Sequence, residues 1–362
     1  MSIPNAEPFH LSGNQIAVLM IHGFSGSPAS IRPWAEGLHQ AGYTVKAPRL
    51  PGHGTSWTEM NETTWQQWFA EVSQAFQELR QSHQRIFVAG FSMGGALAIH
   101  LTALMGQQIE GLILINPSIG DDRFIMGLVP IIKYVVPSIA GRGTDVAAPN
   151  PPRHSYGRTP LKALHSLQKL WRVVKSELPK IEAPLMIGYS PQDHVVDPKF
   201  SEMVIDNVAS VDIREVIFEN SFHNVALDFD LPILISESLS FIEDVLTGEL
   251  ATESLVADEF DSIVAGLSLD ESAPTDYLDE LETAATERYE GDNQPLPTLT
   301  STQRAALVGV IGGPIYILIT AVTPIDLLGI GFWPGALAMI AGVVTFFWQM
   351  KPENDEGDGI AL

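Results

Sequence analysis

Ser92 is the residue of this chain whose setting most plainly predicts chemistry. Residues 90–94, Gly-Phe-Ser-Met-Gly, follow the strand-like run RIFVA (85–89) and precede the helix-like run ALAIHLTALM (96–105). In a strand–turn–helix context, the GxSxG pattern exposes a serine hydroxyl on a sharp turn, where small neighbours avoid a clash. The pattern therefore predicts a nucleophile at Ser92. The alternative is an ordinary glycine-rich turn between a strand and a helix.

A serine nucleophile needs a base that takes its proton. His223 stands in the segment 219–224, directly after the strand-like run VDIREVIF (211–218). Its neighbours are typical of a loop and not of a core-facing surface. His223 is therefore the predicted base.

The base in turn needs a carboxylate that orients it. The loop SPQDHVVDP (190–198), directly after the strand-like run PLMIGY (184–189), offers two. Asp193 is the first choice and Asp197 the second, and either could instead be a solvated loop acid. With Asp193 the order along the chain is Ser, Asp, His, which is the order of an α/β-hydrolase.

Acyl transfer also needs two main-chain N–H donors that face the developing oxyanion. The residue after the nucleophile, Met93, would supply one donor. The other would come from the loop His22–Gly26, which follows the strand-like run QIAVLMI (15–21), with Phe24 as the predicted donor. His22 comes too early in the chain to be the base, and we interpret it as a structural histidine that holds this loop.

The elements that must position these residues alternate along the chain. Five strand-like runs (15–21, 85–89, 112–115, 184–189 and 211–218) are short and rich in branched apolar residues, while Trp34–Ala41, Trp65–Ser82 and Ala96–Met105 have helical patterns. Alternation of strands and helices predicts an α/β fold, with a mostly parallel sheet covered by helices on both faces.

The chain from about residue 9 to 245 resembles a bacterial carboxylesterase of the monoacylglycerol lipase type, in the α/β-hydrolase superfamily. The matching segments are IHGFSGSPASIRPWAEGL (21–38), PRLPGHG (48–54), GFSMGG (90–95), PQDHVVDP (191–198) and NSFHN (220–224). The resemblance implies ester hydrolysis through an acyl-enzyme. It carries the triad to Ser92, Asp193 and His223, and the oxyanion donors to the main chain of Phe24 and Met93.

The stretch 118–182 is too long for a simple connection between a helix and a strand. It contains the apolar run FIMGLVPIIKYVVPSIAG (124–141), interrupted by Lys133 and prolines. In this fold such an insertion would form a cap over the pocket, and an apolar cap favours an acyl chain as the ligand. The alternative is a helix that packs on the core without contacting substrate.

Composition excludes several classes of function. The chain of 362 residues carries 43 acidic and 20 basic residues, a net charge of −23, which argues against nucleic acid as a partner. Cysteine is absent, so disulfide scaffolds, thiol catalysis and thiolate metal sites are excluded. No histidine pairs with acids at the spacing of a metal site, and no P-loop or dinucleotide-binding motif is present. We expect neither a metal nor a cofactor.

The charge distribution divides the chain into a hydrolase domain (1–248), an acidic linker (249–300), a hairpin region (301–350) and an acidic tail (351–362). Residues 249–292 hold 14 acidic residues and a single basic one, Arg288. That composition favours a largely disordered tether, although 253–267 also has the spacing of a short amphipathic helix.

The hairpin region contains two charge-free apolar runs, 305–322 and 331–350, of 18 and 20 residues. Each is long enough to cross about 30 Å of hydrocarbon as a helix. The runs predict a transmembrane hairpin, and the alternative is a pair of buried helices in a soluble oligomer. Arg304 and Lys351 at the outer ends predict that both ends, and with them the hydrolase domain, lie on the cytoplasmic side of the cell membrane. Small residues in the first run could support homo-oligomerisation.

The sequence thus predicts a membrane-tethered serine esterase or lipase that acts on monoacylglycerol-like or other lipid esters. A thioesterase or a carbon–carbon bond hydrolase could use the same three residues, because a fold does not determine its substrate. The alternative from another class is a non-catalytic membrane receptor or scaffold that keeps a hydrolase fold.

Overall fold

A computed structural model describes residues 3–141, 143–149, 154–248, 316 and 333–349. The chain divides into two compact units, Met1–Ser268 and Leu269–Leu362. The predicted linker (249–300), the acidic tail (351–362) and, apart from Tyr316, the first apolar run (305–322) lie outside the described residues.

A seven-stranded sheet organises the first unit. The strands of this unit, in chain order, are β1 (Phe9–Leu11), β2 (Ile16–Ile21), β3 (Thr44–Ala47), β4 (Arg85–Phe91), β5 (Gly111–Ile115), β6 (Ser138–Ala140), β7 (Arg158–Pro160), β8 (Leu185–Tyr189) and β9 (Ile213–Ile217). β6 and β7 form a separate two-stranded ribbon, and the other seven strands form the sheet. The strand order in the sheet is β1-β3-β2-β4-β5-β8-β9. Only β1 runs antiparallel to its neighbour; the others are parallel, so their carboxyl ends lie along one edge.

Helices cover both faces of this sheet. They are α1 (Arg32–Gln40), α2 (Trp57–Met60), α3 (Trp65–Arg80), α4 (Met93–Met105), α5 (Phe124–Ile132), α6 (Leu161–Glu177), α7 (Lys199–Asn207) and α8 (Leu231–Thr247). Buried side chains of α3, α4, α6 and α7 form one core with the sheet. Those of α1 and α8 form a second core on the other face. Both faces of the central strands are therefore buried, which explains why the sequences of these strands are continuous apolar runs.

The predicted α/β architecture is confirmed, and each of the five strand-like runs contains a strand. Among the described elements, β1, β3, β6, β7, α2, α6, α7 and α8 escaped prediction. β1 and β3 have three and four residues, too few for a clear alternation of apolar and polar positions.

The second unit contributes one described helix, α9 (Trp333–Gln349). The described part of this helix has 17 residues. Across the described ranges, no helix has both the length and the apolarity needed to span a bilayer. The second predicted span, 331–350, is therefore helical over most of its length but does not support a transmembrane hairpin.

Candidate active site

Ser92 occupies a strained turn between β4 and α4. Its backbone has φ 55° and ψ −120°, in the left-handed half of conformational space that costs a non-glycine residue about 1–3 kcal/mol. Three main-chain hydrogen bonds hold it there: Ser92 N–H donates to the Ile115 carbonyl at 3.0 Å, and the Ser92 carbonyl accepts from Ser118 N–H at 3.0 Å and from Gly95 N–H at 2.9 Å. The turn holds the hydroxyl at the carboxyl edge of the sheet.

Close packing of backbones explains the flanking glycines. The register pairs Ile21 of β2 with Gly90 of β4, so α4 begins directly against the end of β2. A Cβ on Gly94 would lie 2.1 Å from the Ile21 carbonyl oxygen, and one on Gly90 would lie 2.4 Å from the Gly94 carbonyl oxygen. Only glycine fits at these two positions without moving main-chain atoms.

We expect Gly94→Ala to cost more stability than an ordinary core substitution, because its methyl group meets a carbonyl of β2 and not a side chain that can move. Gly127→Ala in α5 is the matched control, since a Cβ there meets nothing within 4 Å. Thermal unfolding should show a large fall in Tm, or no folded protein, for Gly94→Ala and no loss for Gly127→Ala. Equal melting temperatures for the two variants would contradict this packing account.

The structure brings Ser92, His223 and Asp193 together across 131 and 30 residues of chain. His223 Nε2 lies 3.0 Å from Ser92 Oγ, and His223 Nδ1 lies 2.6 Å from Asp193 Oδ2. Because a carboxylate accepts and does not donate, Nδ1 carries the proton and Nε2 is left to accept from the serine hydroxyl. All three side chains are at least nine-tenths buried.

Asp193 is fixed in place by main-chain donors. Its Oδ1 accepts hydrogen bonds from the N–H groups of Val195 and Val196, at 2.7 and 2.9 Å, so Oδ2 faces His223. Asp197, the second candidate, instead pairs with Lys199 at 2.9 Å and has a half-exposed side chain. The geometry therefore distinguishes between two carboxylates that the sequence left open.

The loop that holds Phe24 lies against the serine. A Cβ on Gly23 would be 3.2 Å from Ser92 Cβ, and Phe24 lines the same cavity as Ser92 and His223. Met93 is the first residue of α4, and the first N–H groups of a helix have no acceptor within it. Phe24 thus lies on a loop beside the serine and Met93 follows the serine in the chain, and their assignment as oxyanion donors stays a prediction.

His22 lies behind this loop, fully buried. Its Nδ1–H donates to the Gly23 carbonyl at 3.0 Å, and its Nε2 accepts from Leu50 N–H at 3.3 Å, so the neutral ring is satisfied on both sides. Burial lowers the pKa of His22 to about 4. The pKa of the adjacent buried His53 is lowered too, first by burial and then by His22. His53 also packs edge-on against Trp68, at 5.3 Å between ring centroids.

These histidines predict sensitivity to acid. An unfolded histidine takes up a proton near pH 6.5, whereas folded His22 stays neutral to about pH 4. Stability from His22 is complete above pH 6.5 and falls by about 1.4 kcal/mol per pH unit between those values. Urea unfolding across this range should show a flatter pH dependence of stability for His22→Gln than for the parent. An unchanged dependence in His22→Gln would contradict the assignment.

Three polar residues that join the loops of the site were missed in the sequence. Asn116 donates from Nδ2 to the His223 carbonyl at 2.7 Å and accepts from Ser190 N–H at 3.0 Å. Asp145 accepts from the N–H groups of both His194 and His223, each at 3.2 Å. The third, Asp228, accepts from the main-chain N–H groups of Ala147 and Ala148 in the insertion and of Phe222 beside His223. Asp145 could have been noticed in the sequence, because it is an isolated acidic residue in an otherwise basic stretch.

A cavity of about 220 Å³ opens beside Ser92. The insertion 118–182 supplies most of its apolar wall, from α5, β6 and α6; those residues are Ile125, Met126, Ile139, Leu164, Leu167 and Trp171. The insertion therefore contacts the cavity and is not merely packed on the core.

Comparison with known proteins finds relatives that match the part of the chain containing this site. Residues 13–230 match the family described as serine aminopeptidase, S33 (Hydrolase_4). The chain is 37% identical over 242 residues to a thermostable monoacylglycerol lipase of Bacillus sp. (strain H-257), covering 66% of this chain and 95% of that one. It is 23% identical over 244 residues to a carboxylesterase of Bacillus subtilis (strain 168), covering 67% and 98%.

Solved structures extend the comparison. A structure from the metagenome-derived lipolytic enzymes LipS and LipT has a TM-score of 0.66 at 34% identity, covering 67% of this chain and 100% of that one. A soluble variant of monoglyceride lipase from Saccharomyces cerevisiae shares the fold, with a TM-score of 0.55 at 17% identity over 68% and 96% of the two chains. The chain therefore belongs to the Hydrolase_4 family of α/β-hydrolases and is an enzyme of the lipase and esterase type.

Proposed function

We propose that this chain hydrolyses lipid-like carboxylic esters, monoacylglycerols above all, through Ser92, His223 and Asp193, and that its carboxyl-terminal region tethers it to a membrane. The observation that carries the catalytic proposal is the pair of contacts made by His223, 3.0 Å to Ser92 Oγ and 2.6 Å to Asp193 Oδ2. A histidine so placed can activate the serine on one side while the carboxylate stabilises the imidazolium on the other.

The reaction follows from these contacts. His223 Nε2 takes the hydroxyl proton as Ser92 Oγ attacks the ester carbonyl carbon. The oxyanion that forms accepts hydrogen bonds from the main-chain N–H groups of Phe24 and Met93. His223 then gives the proton to the leaving alcohol, and the ester C–O bond breaks. Water, activated in turn by His223, releases the acyl group as a carboxylic acid and restores the serine.

The cavity supports an acyl chain as the group bound. Its wall from the insertion is apolar, and removal of an alkyl chain from water into such a wall is favourable. Similarity to a relative named a thermostable monoacylglycerol lipase supports a glyceryl ester as the substrate of this chain.

The experiment that tests this function is hydrolysis of chromogenic esters from acetate to palmitate, together with 1-monooleoylglycerol, by the full-length protein. We expect turnover of several chain lengths and of the monoacylglycerol. Turnover of thioesters without turnover of any oxygen ester, by protein shown to be folded, would refute the proposal.

The tether rests on the two charge-free runs 305–322 and 331–350, with Arg304 and Lys351 at their outer ends. Apolar runs of 18 and 20 residues are long enough to enter a bilayer as a hairpin. The basic outer ends favour a cytoplasmic hydrolase domain at the cell membrane. Glycines in the first run would allow two hairpins to pack closely as an oligomer.

We expect deletion of residues 300–362 to reduce sedimentation with membranes while activity on short soluble esters persists. The first unit contains the whole candidate site, so the deletion removes none of it. Membrane and soluble fractions of expressing cells, probed for protein and esterase activity, provide the measurement. A deleted protein that sediments with membranes as fully as the parent would refute the tether.

A further inference from the structure

The loop that carries His223 lies between β9 and α8, and side chains hold its main chain. His223 N–H donates to Asp145 Oδ2 at 3.2 Å, and the His223 carbonyl accepts from Asn116 Nδ2 at 2.7 Å. Asn116 directly follows β5 of the central sheet, whereas Asp145 belongs to the insertion 118–182. The position of the proposed base therefore depends on the sheet through its carbonyl and on the insertion through its N–H group.

Asp145 also contacts the loop that carries Asp193. Its Oδ2 accepts from His194 N–H at 3.2 Å, and its Oδ1 accepts from His194 Nδ1–H at 3.0 Å. The main-chain carbonyl of Asp145 accepts from Asn224 N–H at 3.1 Å. This one residue thus joins the two loops whose side chains, His223 and Asp193, meet at 2.6 Å.

The segment around Asp145 is itself fixed against the same loops. Asp228 accepts from the N–H groups of Ala147 and Ala148, at 2.7 and 2.9 Å, and from Phe222 N–H at 2.9 Å. The side chain of Asp145 is only 16% exposed. Hydrogen bonds to a carboxylate are stronger than those to a neutral acceptor, and shielding from water strengthens them further. Asp145 is therefore a fixed acceptor and not a solvated loop acid.

We propose that Asp145 is a positioning residue, which holds His223 within reach of Ser92 and Asp193 by accepting these hydrogen bonds. This inference rests on the proposed ester hydrolysis. His223 Nε2 lies 3.0 Å from Ser92 Oγ, and a displacement of about 1 Å at a catalytic group can lower a rate about 100-fold. The insertion then has two roles, because it lines the cavity and also determines where the base stands.

The alternative is direct contact between Asp145 and substrate, since Asp145 also lines the cavity. Two variants of the full-length protein separate these roles. Asp145→Ala removes the carboxylate, so the N–H groups of His194 and His223 lose their acceptor. Asp145→Asn keeps the shape and one oxygen that can accept from both N–H groups, while its NH₂ group can donate to the other tautomer of the His194 ring.

We expect kcat for ester hydrolysis to fall about 100-fold in Asp145→Ala, with KM changed by less than about threefold, and to recover to within about tenfold of the parent in Asp145→Asn. A loss in KM and not in kcat would assign Asp145 to substrate binding and overturn the proposal. Unchanged kcat in Asp145→Ala would also overturn it. So would a 100-fold loss in Asp145→Asn, even if Asp145→Ala does not fold.

Tyr156→Phe is the matched control for loosening the insertion. The hydroxyl of Tyr156, also in the insertion, donates to the Gly52 carbonyl and accepts from Thr55 N–H, both at 2.8 Å, and these contacts lie outside the loops of Asp193 and His223. Its kcat should equal that of the parent even where its Tm is lower. A loss of kcat as large as that in Asp145→Ala would overturn the proposal, because any weakened contact of the insertion would then suffice.

A second readout needs no turnover and so separates this inference from the proposed function. The proton that His223 Nδ1 shares with Asp193 forms a short, charge-assisted hydrogen bond, and such protons resonate far downfield in NMR spectra. The signal should be present in the parent, Asp145→Asn and Tyr156→Phe, and lost or moved upfield in Asp145→Ala. A parent that shows this signal but no turnover would refute the hydrolysis alone. An identical signal in the parent and in Asp145→Ala would overturn the positioning role.

Discussion

Replacement of Ser92 with alanine is expected to abolish ester hydrolysis, lowering kcat by about 10⁴-fold or more. In the proposed reaction the hydroxyl is the group that attacks the ester, and its proton is the one that His223 Nε2, at 3.0 Å, takes in the first step. The alanine variant should remain folded, because removal of one buried oxygen leaves the turn and its glycines in place. Chromogenic ester assays and thermal unfolding of the same preparations provide the measurements.

Ser118→Ala is the matched control. Ser118 is also buried and lines the same cavity, and its main-chain N–H supports the Ser92 carbonyl, but its hydroxyl does not contact His223. We expect its kcat to remain near that of the parent. Undiminished turnover by folded Ser92→Ala, or an equal loss in both variants, would contradict the role of Ser92.

The second large effect is expected from Asp193→Asn, with a fall in kcat of about 10⁴-fold. Val195 and Val196 donate to Oδ1, so the asparagine will turn its oxygen toward them and its NH₂ group toward His223. His223 Nδ1 must then accept, which moves the ring proton to Nε2. A ring protonated at Nε2 cannot take the proton of Ser92.

Asp197→Asn tests the choice between the two carboxylates. Asp197 is exposed and pairs with Lys199, so its variant should retain the activity of the parent. Assays of kcat and KM should show the loss in Asp193→Asn mainly in kcat, since Asp193 faces His223 and not the cavity. A larger loss in Asp197→Asn than in Asp193→Asn would reverse the assignment.

Local sequence patterns predicted much of this fold and the three residues that the structure brings together. The GxSxG turn needs a strand before it and a helix after it, and both can be recognised from neighbouring residues in the sequence. The edge at which Asp193 and His223 meet Ser92 follows from a parallel sheet, whose strands all end on one side.

Contacts between distant segments could not be predicted in this way. Asn116 reaches His223 across 107 residues, and Asp145 reaches the same residue across 78. A single asparagine or aspartate in a loop is normally solvated, so its role becomes visible only when the loops are assembled. The exposure of Phe124 and Ile131 in α5 was equally hidden, because the sequence of an apolar helix looks the same whether the helix faces the core or the solvent.

The most direct test of the central claim is covalent labelling of the full-length protein with a fluorophosphonate, followed by mass spectrometry of the digested adduct. Such reagents react quickly only with an activated serine. The account predicts stoichiometric labelling on the peptide that contains Ser92, lost in Ser92→Ala, strongly slowed in Asp193→Asn and unchanged in Ser118→Ala. Folded protein that resists the reagent, or that carries the label on a different serine, would contradict it.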